Sequence, residues 1–281
     1  PGAPTESSRT SFISPRPFPL SADEVETLNR LGDALLAFYS AVNDLYLHGR
    51  QPWVNDYLDI GKGEELLRHA RMKYQRPALP GIIRPDILIT EDGFKITELD
   101  SVPGGFGHLD CLSVAYEQAG FDLVGGRRGI RDGFASMLRS RTEAPDPTVA
   151  IVVSDESVDY LPEMQYLVGE LRQSGLNAYT VHPREVAFTE EGLYIEVVGD
   201  RRRVDVLYRF FELFDLLNIP KAELISYAAR KKLVAVTPPY KPFLEEKMLL
   251  ALFHRLRTGQ GQQVDASLLG GQIALQSHNI T

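Results

Sequence analysis

Four charged side chains, Arg84, Asp86, Glu98 and Asp100, are spaced so that a hairpin would bring them to one face. Residues 82–89 and 94–100 each carry apolar side chains at alternate positions. Glu91-Asp92-Gly93 lies between them, with Gly93 suited to a positive φ. If those three residues form the loop, Thr90 faces Phe94, Asp86 faces Glu98 and Arg84 faces Asp100. Side chains two apart on a strand point the same way, so three carboxylates and one guanidinium share a face. Like charges directly opposite one another destabilise a ladder. Arg84 offsets one negative charge, and a divalent cation would offset the rest; three hard oxygen donors suit Mg²⁺. A solvated amphipathic hairpin with its charges on the wet side is the plainer alternative.

The residues just beyond the hairpin strengthen the chemical reading. Pro103-Gly104-Gly105-Phe106-Gly107 comes directly after the acids, and a helix-like stretch over 109–119 comes after the glycines. Glycine lets backbone approach a ligand closely, and a helix start offers N–H groups to an anion. Carboxylates, an arginine, a glycine loop and a helix N-terminus in succession point to a metal–phosphate site. The glycine string matches neither a dinucleotide fingerprint nor a P-loop.

Arg84-x-Asp86, Glu98-x-Asp100 and the small-residue loop together resemble the metal site of circularly permuted ATP-grasp proteins, with glutathionylspermidine synthetase the best-known relative. The likeness runs over roughly residues 20–255. It implies that Asp86, Glu98 and Asp100 hold Mg²⁺, that Arg84 contacts the transferring phosphate of ATP, and that Ser101, Gly104 and Gly105 help hold the substrate. Two departures stand out: Asp100 replaces an asparagine, keeping an oxygen ligand and adding charge, and Pro-Gly-Gly replaces much of a serine loop. Tyr208-Arg209 resembles the family's Tyr-Arg pair at the end of a strand. Arg209 could then take a substrate carboxylate through its two-pronged guanidinium; a salt bridge to Glu212 or Asp215 is the alternative. Lys247 lies in a helix whose lysine recurs in the relatives, so it either faces nucleotide or pairs with an acid one turn away.

The elements that would position these groups divide into several stretches. Residues 1–20, rich in proline and serine, read as an extended arm. Ser21 with Glu24 forms a capping signature, and Leu28, Leu31, Leu35, Phe38 and Val42 keep helical spacing to about Tyr46. A second helix over 56–72 is interrupted near Gly61 and Gly63, and 127–141 is amphipathic. Residues 143–147 are the best linker. Beyond it the pattern changes to strand, helix, strand: 149–153, 161–174 and 178–181, then strands at 193–197 and 204–208, a helix at 221–232 and a strand at 233–236. The expected architecture is therefore α/β (α+β), permuted ATP-grasp-like: an antiparallel hairpin lobe with helices over 21–147, and a small βαβ unit over 148–240. The segment 155–160 sits at a strand's carboxyl end, where ligands bind in such sheets, although a helix cap is the preferred reading. Residues 241–281 would begin a nucleotide lobe.

Composition narrows the partners. The chain has 281 residues, 43% hydrophobic and 24% charged, with a net charge of −8, as for a globular protein. That balance excludes nucleic acid as an expected partner; Arg201-Arg202-Arg203 is too short to offset it and reads as a solvated turn or helix end. Cys111 is the single cysteine, which excludes an intrachain disulfide and a cysteine zinc cluster; its apolar surroundings suggest a buried thiol. No apolar run reaches membrane length and no signal segment opens the chain, so cytoplasm is the expected compartment and no membrane partner is expected. None of the six histidines pairs with an acid as a general base, and His108 reads as a cap. Nothing in the sequence bears on oligomeric state.

The expectation is an ATP- and Mg²⁺-dependent carboxylate–amine ligase acting through an acyl phosphate on small-molecule acid and amine substrates. The alternatives are a non-catalytic binding or scaffold protein of the same fold and, more remotely, a phosphate-ester hydrolase. A nucleotide lobe would need about 100 residues or more of its own, and the residues after Lys247 contain no lysine for the ATP phosphates. Either that lobe lies outside this sequence or the protein has lost it. The abrupt passage from amphipathic helix to polar text after residue 257 favours the first.

Overall fold

A computed structural model describes residues 13–49, 51–91, 93–245, 249, 250, 252 and 255. The chain opens with α1 (Ala22–His48), whose first turn is closed by the reciprocal Ser21–Glu24 capping box. Helices α2 (Pro52–Asp59) and α3 (Glu64–Ala70) follow, divided where Gly61 and Gly63 were expected to break the pattern. The hairpin β1 (Arg84–Thr90) and β2 (Gly93–Asp100) comes next, then α4 (Phe106–Gln118) and α5 (Gly129–Arg139). β3 (Thr148–Val153), α6 (Leu161–Gln173) and β4 (Asn177–Val181) form a parallel βαβ unit. An antiparallel three-stranded sheet of β5 (Ala187–Thr189), β6 (Gly192–Val197) and β7 (Asp200–Arg203) is inserted before β8 (Val206–Phe210), α7 (Ala222–Arg230) and β9 (Ala235–Thr237). The fold is thus mixed α/β, with parallel and antiparallel sheets.

The parallel sheet runs in the order β4-β3-β8-β9. Its two central strands are buried on both faces, which is why they read as continuous apolar runs rather than alternating ones. Val149, Ile151 and Val153 turn to one core with Met164, Leu167 and Leu171 of α6; Ala150 and Val152 turn to the other with Ile225 and Ala228 of α7. The chain leaves β3 toward β4 and leaves β8 toward β9, so the winding reverses between the two central strands. Helix α5 brings Phe134 and Leu138 into the first of these cores, across the linker that precedes β3. A third core holds Leu35, Tyr39, Val42 and Tyr46 of α1, Leu99 of the hairpin, and Phe243 and Leu244.

Arg201-Arg202-Arg203 is not a solvated turn. It lies in β7, paired with Tyr194, Ile195 and Glu196, and the Arg201 guanidinium stacks 4.4 Å from the Tyr194 ring centroid. Cys111 is exposed rather than buried. Helix α4 buries Gly107 and Asp110 instead, because it approaches α6 so closely that a Cβ on Gly107 would strike the Glu163 carbonyl. Asp110 meets the Arg131 guanidinium there (Oδ1–Nε 2.9 Å), and Arg131 also pairs with Glu170, tying α4, α5 and α6 together. Of the amino-terminal arm, Ser14 accepts a hydrogen bond from Tyr116 Oη of α4 at 2.8 Å.

Candidate functional site

In the hairpin, Arg84 lies opposite Asp100 and Asp86 opposite Glu98, as the alternation required. The turn does not: Thr90 pairs with Gly93, not Phe94, which leaves a loop one residue shorter than expected. The discrepancy disappears at a bulge. Asp86 pairs with Glu98 but Ile87 pairs with Ile96, so Thr97 is the extra residue, and its Oγ1 donates to the Asp86 carbonyl at 3.2 Å. A bulge shifts side-chain phase by one. Here it places Ile96 on the same side as Leu99, toward the third core, while Glu98 joins Asp100, Asp86 and Arg84 on the other. Alternation was expected throughout 94–100; the step from Ile96 to Leu99 departs from it and is the local trace of the bulge.

Arg84 sits at the centre of that face. Its guanidinium lies 3.1 Å from Asp100 Oδ2 and 3.4 Å from Asp86 Oδ1, and Nη1 donates to the Gly104 carbonyl at 3.2 Å. Asp100 Oδ1 accepts the Val102 N–H at 2.8 Å. Burial pushes the Asp100 carboxyl above its ordinary pKa; the Val102 hydrogen bond and Arg84 oppose this, while Glu98 and Asp86 add to it. The oxygen donors have the chemistry Mg²⁺ takes. Among the described residues, however, no group of three or more His, Cys, Asp or Glu side chains is arranged to hold a metal ion. Instead, Arg84 itself bridges two of the three carboxylates.

The hairpin face opens onto a small pocket, about 100 Å³, at the reversal point of the parallel sheet. Arg84, Asp100 and Gly104 supply one wall; Ser157 and Tyr160 from the 3-10 turn after β3, and Phe210 and Glu212 from the end of β8, supply the other. The carboxyl ends of strands at such a reversal are where α/β sheets bind ligands. Asp86 and Glu98 share the hairpin face but do not line this pocket. Gly104 gives Tyr160 its room: a Cβ there would run into the Tyr160 ring and displace it. Glu212 is also held above the ordinary carboxylate range by burial, with Arg209 opposing and Asp100 and Glu156 reinforcing the rise. Ser157 and Tyr160 were not singled out individually from sequence, where only the position of 155–160 after a buried strand hinted at them; Glu212 entered only as a partner for Arg209.

Other expected contacts are used differently. Gly105 takes φ 93° as the N-cap of α4, but its N–H donates to Glu163 Oε1 at 2.6 Å and the His108 N–H to Oε2 at 3.4 Å. The helix start that could receive an anion therefore already holds a carboxylate of α6. Ser101 is buried, with Oγ donating to the Leu244 carbonyl at 2.8 Å and lying 3.2 Å from Tyr39 Oη. It ties the hairpin to the later chain rather than facing the pocket. Arg209 is fully buried; it pairs with Glu245, not Glu212 or Asp215, and donates to the Phe211 and Pro238 carbonyls. Successive strand residues face opposite sides, so Phe210 reaches the pocket and Arg209 turns away. Lys247 lies outside the described residues.

The segment 238–245 fixes these parts relative to one another. Lys241, fully buried, donates from Nζ to Asn43 Oδ1 (2.5 Å) and to the carbonyls of Arg76 (3.2 Å) and Ala78 (2.6 Å). Burial pulls its pKa down to about 8, with Asp44 opposing. Phe243 stacks on Tyr46 with centroids 3.9 Å apart. Burial raises Glu245 to about 7 despite Arg209.

No protein-family profile matches the sequence, and no curated protein matches it. Among solved structures the chain is similar to a glutathione synthetase-like effector from Globodera pallida in its apo form. The TM-score is 0.54 at 15% identity, covering 85% of this chain and 57% of the other. The likeness is one of fold, and the chain spans little more than half of its neighbour's length. No helix among the described residues is long and apolar enough to cross a membrane.

Proposed function

We propose that the chain carries the acceptor side of an ATP- and Mg²⁺-dependent carboxylate–amine ligase of ATP-grasp type. The observation that carries this reading is the convergence of Arg84, Asp100 and the Gly104 loop on the carboxyl ends of β3 and β8 in one pocket. Asp86, Glu98 and Asp100 are not arranged around a metal ion as they stand, and would have to exchange Arg84 for Mg²⁺, which when bound neutralises phosphate charge. Arg84 would face the phosphoryl group of the acyl phosphate, a role suited to a guanidinium half open to solvent. Tyr160 and Phe210 give one side of the pocket an aromatic wall. The lysines that bind nucleotide would come from chain beyond that described.

A second reading, a non-catalytic binding protein of the same fold, draws on the internal neutralisation of the site. Arg84 already pairs with Asp86 and Asp100, and Glu163 already caps α4. Isothermal titration of the full-length protein with a non-hydrolysable ATP analogue, with and without Mg²⁺, separates the two. Mg²⁺-dependent binding that disappears in Asp86→Asn, together with loss of phosphate release in Glu98→Gln, is expected for the ligase. Absence of nucleotide binding under both conditions leaves the second reading.

A further inference from the structure

A cavity of about 450 Å³ lies at the other end of the parallel sheet. It runs along the edge strand β9 and reaches the residues that lead into β8, β9 and β3. Arg141, Arg203 and Lys232 line it, with Asp205 as the acid on its wall. Asp205 is committed elsewhere, accepting the Thr148 N–H at 2.9 Å. Among the described residues none of the three cations forms an ion pair, in a chain whose net charge is −8.

Two of the lining residues carry a buried polar atom without a hydrogen-bond partner: Nε of Arg141 and Oγ1 of Thr237, the latter in a residue 2% exposed. Buried polar groups ordinarily find partners, and each exception asks for one. Burial lowers the pKa of Arg141, with no acid beside it to compensate. A planar guanidinium in this condition is matched by an oxyanion that accepts several N–H bonds at once. The volume is that of a small-molecule site.

We propose that this cavity is a second ligand site, for a small molecule bearing a multiply charged oxyanion, phosphate or polycarboxylate. Arg141 and the Thr237 hydroxyl would bind the anion at depth, and Arg203 and Lys232 would close over it from the rim. The site lies away from the pocket at the carboxyl ends of the strands and does not depend on the ligase reading.

The test is calorimetric titration of the full-length protein with inorganic phosphate, pyrophosphate and citrate. At least one probe is expected to bind, about tenfold more weakly in Arg203→Glu/Lys232→Glu, two exposed positions that leave folding intact, and about tenfold more weakly in Thr237→Val. Arg84→Gln and the surface control Arg30→Glu are expected to bind as the wild type. Preference for the phosphates identifies a phosphoryl ligand, and preference for citrate a carboxylate one. No binding by any probe at millimolar concentration, or equal weakening by Arg30→Glu, overturns the proposal.

Discussion

Arg84 and Arg209 are each ion-paired with a carboxylate, but water reaches them very differently. The Arg84 side chain is 44% exposed and shares two partners; that of Arg209 is 0% exposed and is held by Glu245 and two carbonyls. Exposed pairs are worth little and can be exchanged for ligand contacts. Buried pairs add modestly as pairs, but removing one member leaves a charge in a dry site. The arginine suited to a ligand is therefore the loosely held one, and the firmly held one joins β8 to the segment at 238–245.

The sharpest break of this comparison comes from Arg209→Met. Loss of the buried partner of Glu245 is expected to cost about 3–5 kcal/mol in chemical denaturation. Arg209→Met/Glu245→Leu should recover much of that loss. A single-variant cost as small as that of a surface pair would mean that the two arginines are alike after all.

Lys241→Met comes next. It leaves Asn43 Oδ1 and the Ala78 carbonyl without their donor, an expected cost of about 1–3 kcal/mol. It also changes the pH dependence. The folded lysine has a depressed pKa of about 8 against an ordinary 10.5, so between those values the unfolded chain holds more protons. Wild-type stability, measured relative to Lys241→Met, should then rise as pH climbs through that window and stay level below it. Equal pH slopes in the two proteins would refute the assignment.

Ser101→Ala tests whether the serine after the acids is a brace or a ligand contact. Loss of the bond to the Leu244 carbonyl should lower stability by roughly 1 kcal/mol and leave nucleotide-analogue affinity unchanged. Asp86→Asn should show the opposite pattern: a change in stability within about 0.5 kcal/mol, with Mg²⁺-dependent binding lost. Thermal unfolding beside titration distinguishes the two.

Much of the secondary structure was legible because local rules and tertiary demands agree. The Ser21–Glu24 box, the glycine breaks at 61 and 63, and the apolar runs of β3 and β8 all became the elements expected of them. Alternation put Arg84 with Asp86 and Glu98 with Asp100, since a period of two needs only the strand itself; the bulge at Thr97 brings the two pairs to one hairpin face. The same rule misjudged the turn by one residue. Which strand absorbs a bulge depends on the core that Ile96 and Leu99 must both reach.

Roles that depend on solvent access came only from tertiary structure. Nothing local distinguishes Arg84 from Arg209 or Ser101 from Gly104; the difference is what packs over each. Glu163 closes the helix start beside Gly105 from 58 residues away, and Lys241 reaches Asn43 across 198. Cys111 is exposed because α4 turns a glycine and an aspartate inward. Residue type and spacing determined which groups could do chemistry on this chain. Burial, set by contacts distant in sequence, decided which of them still face water and a ligand.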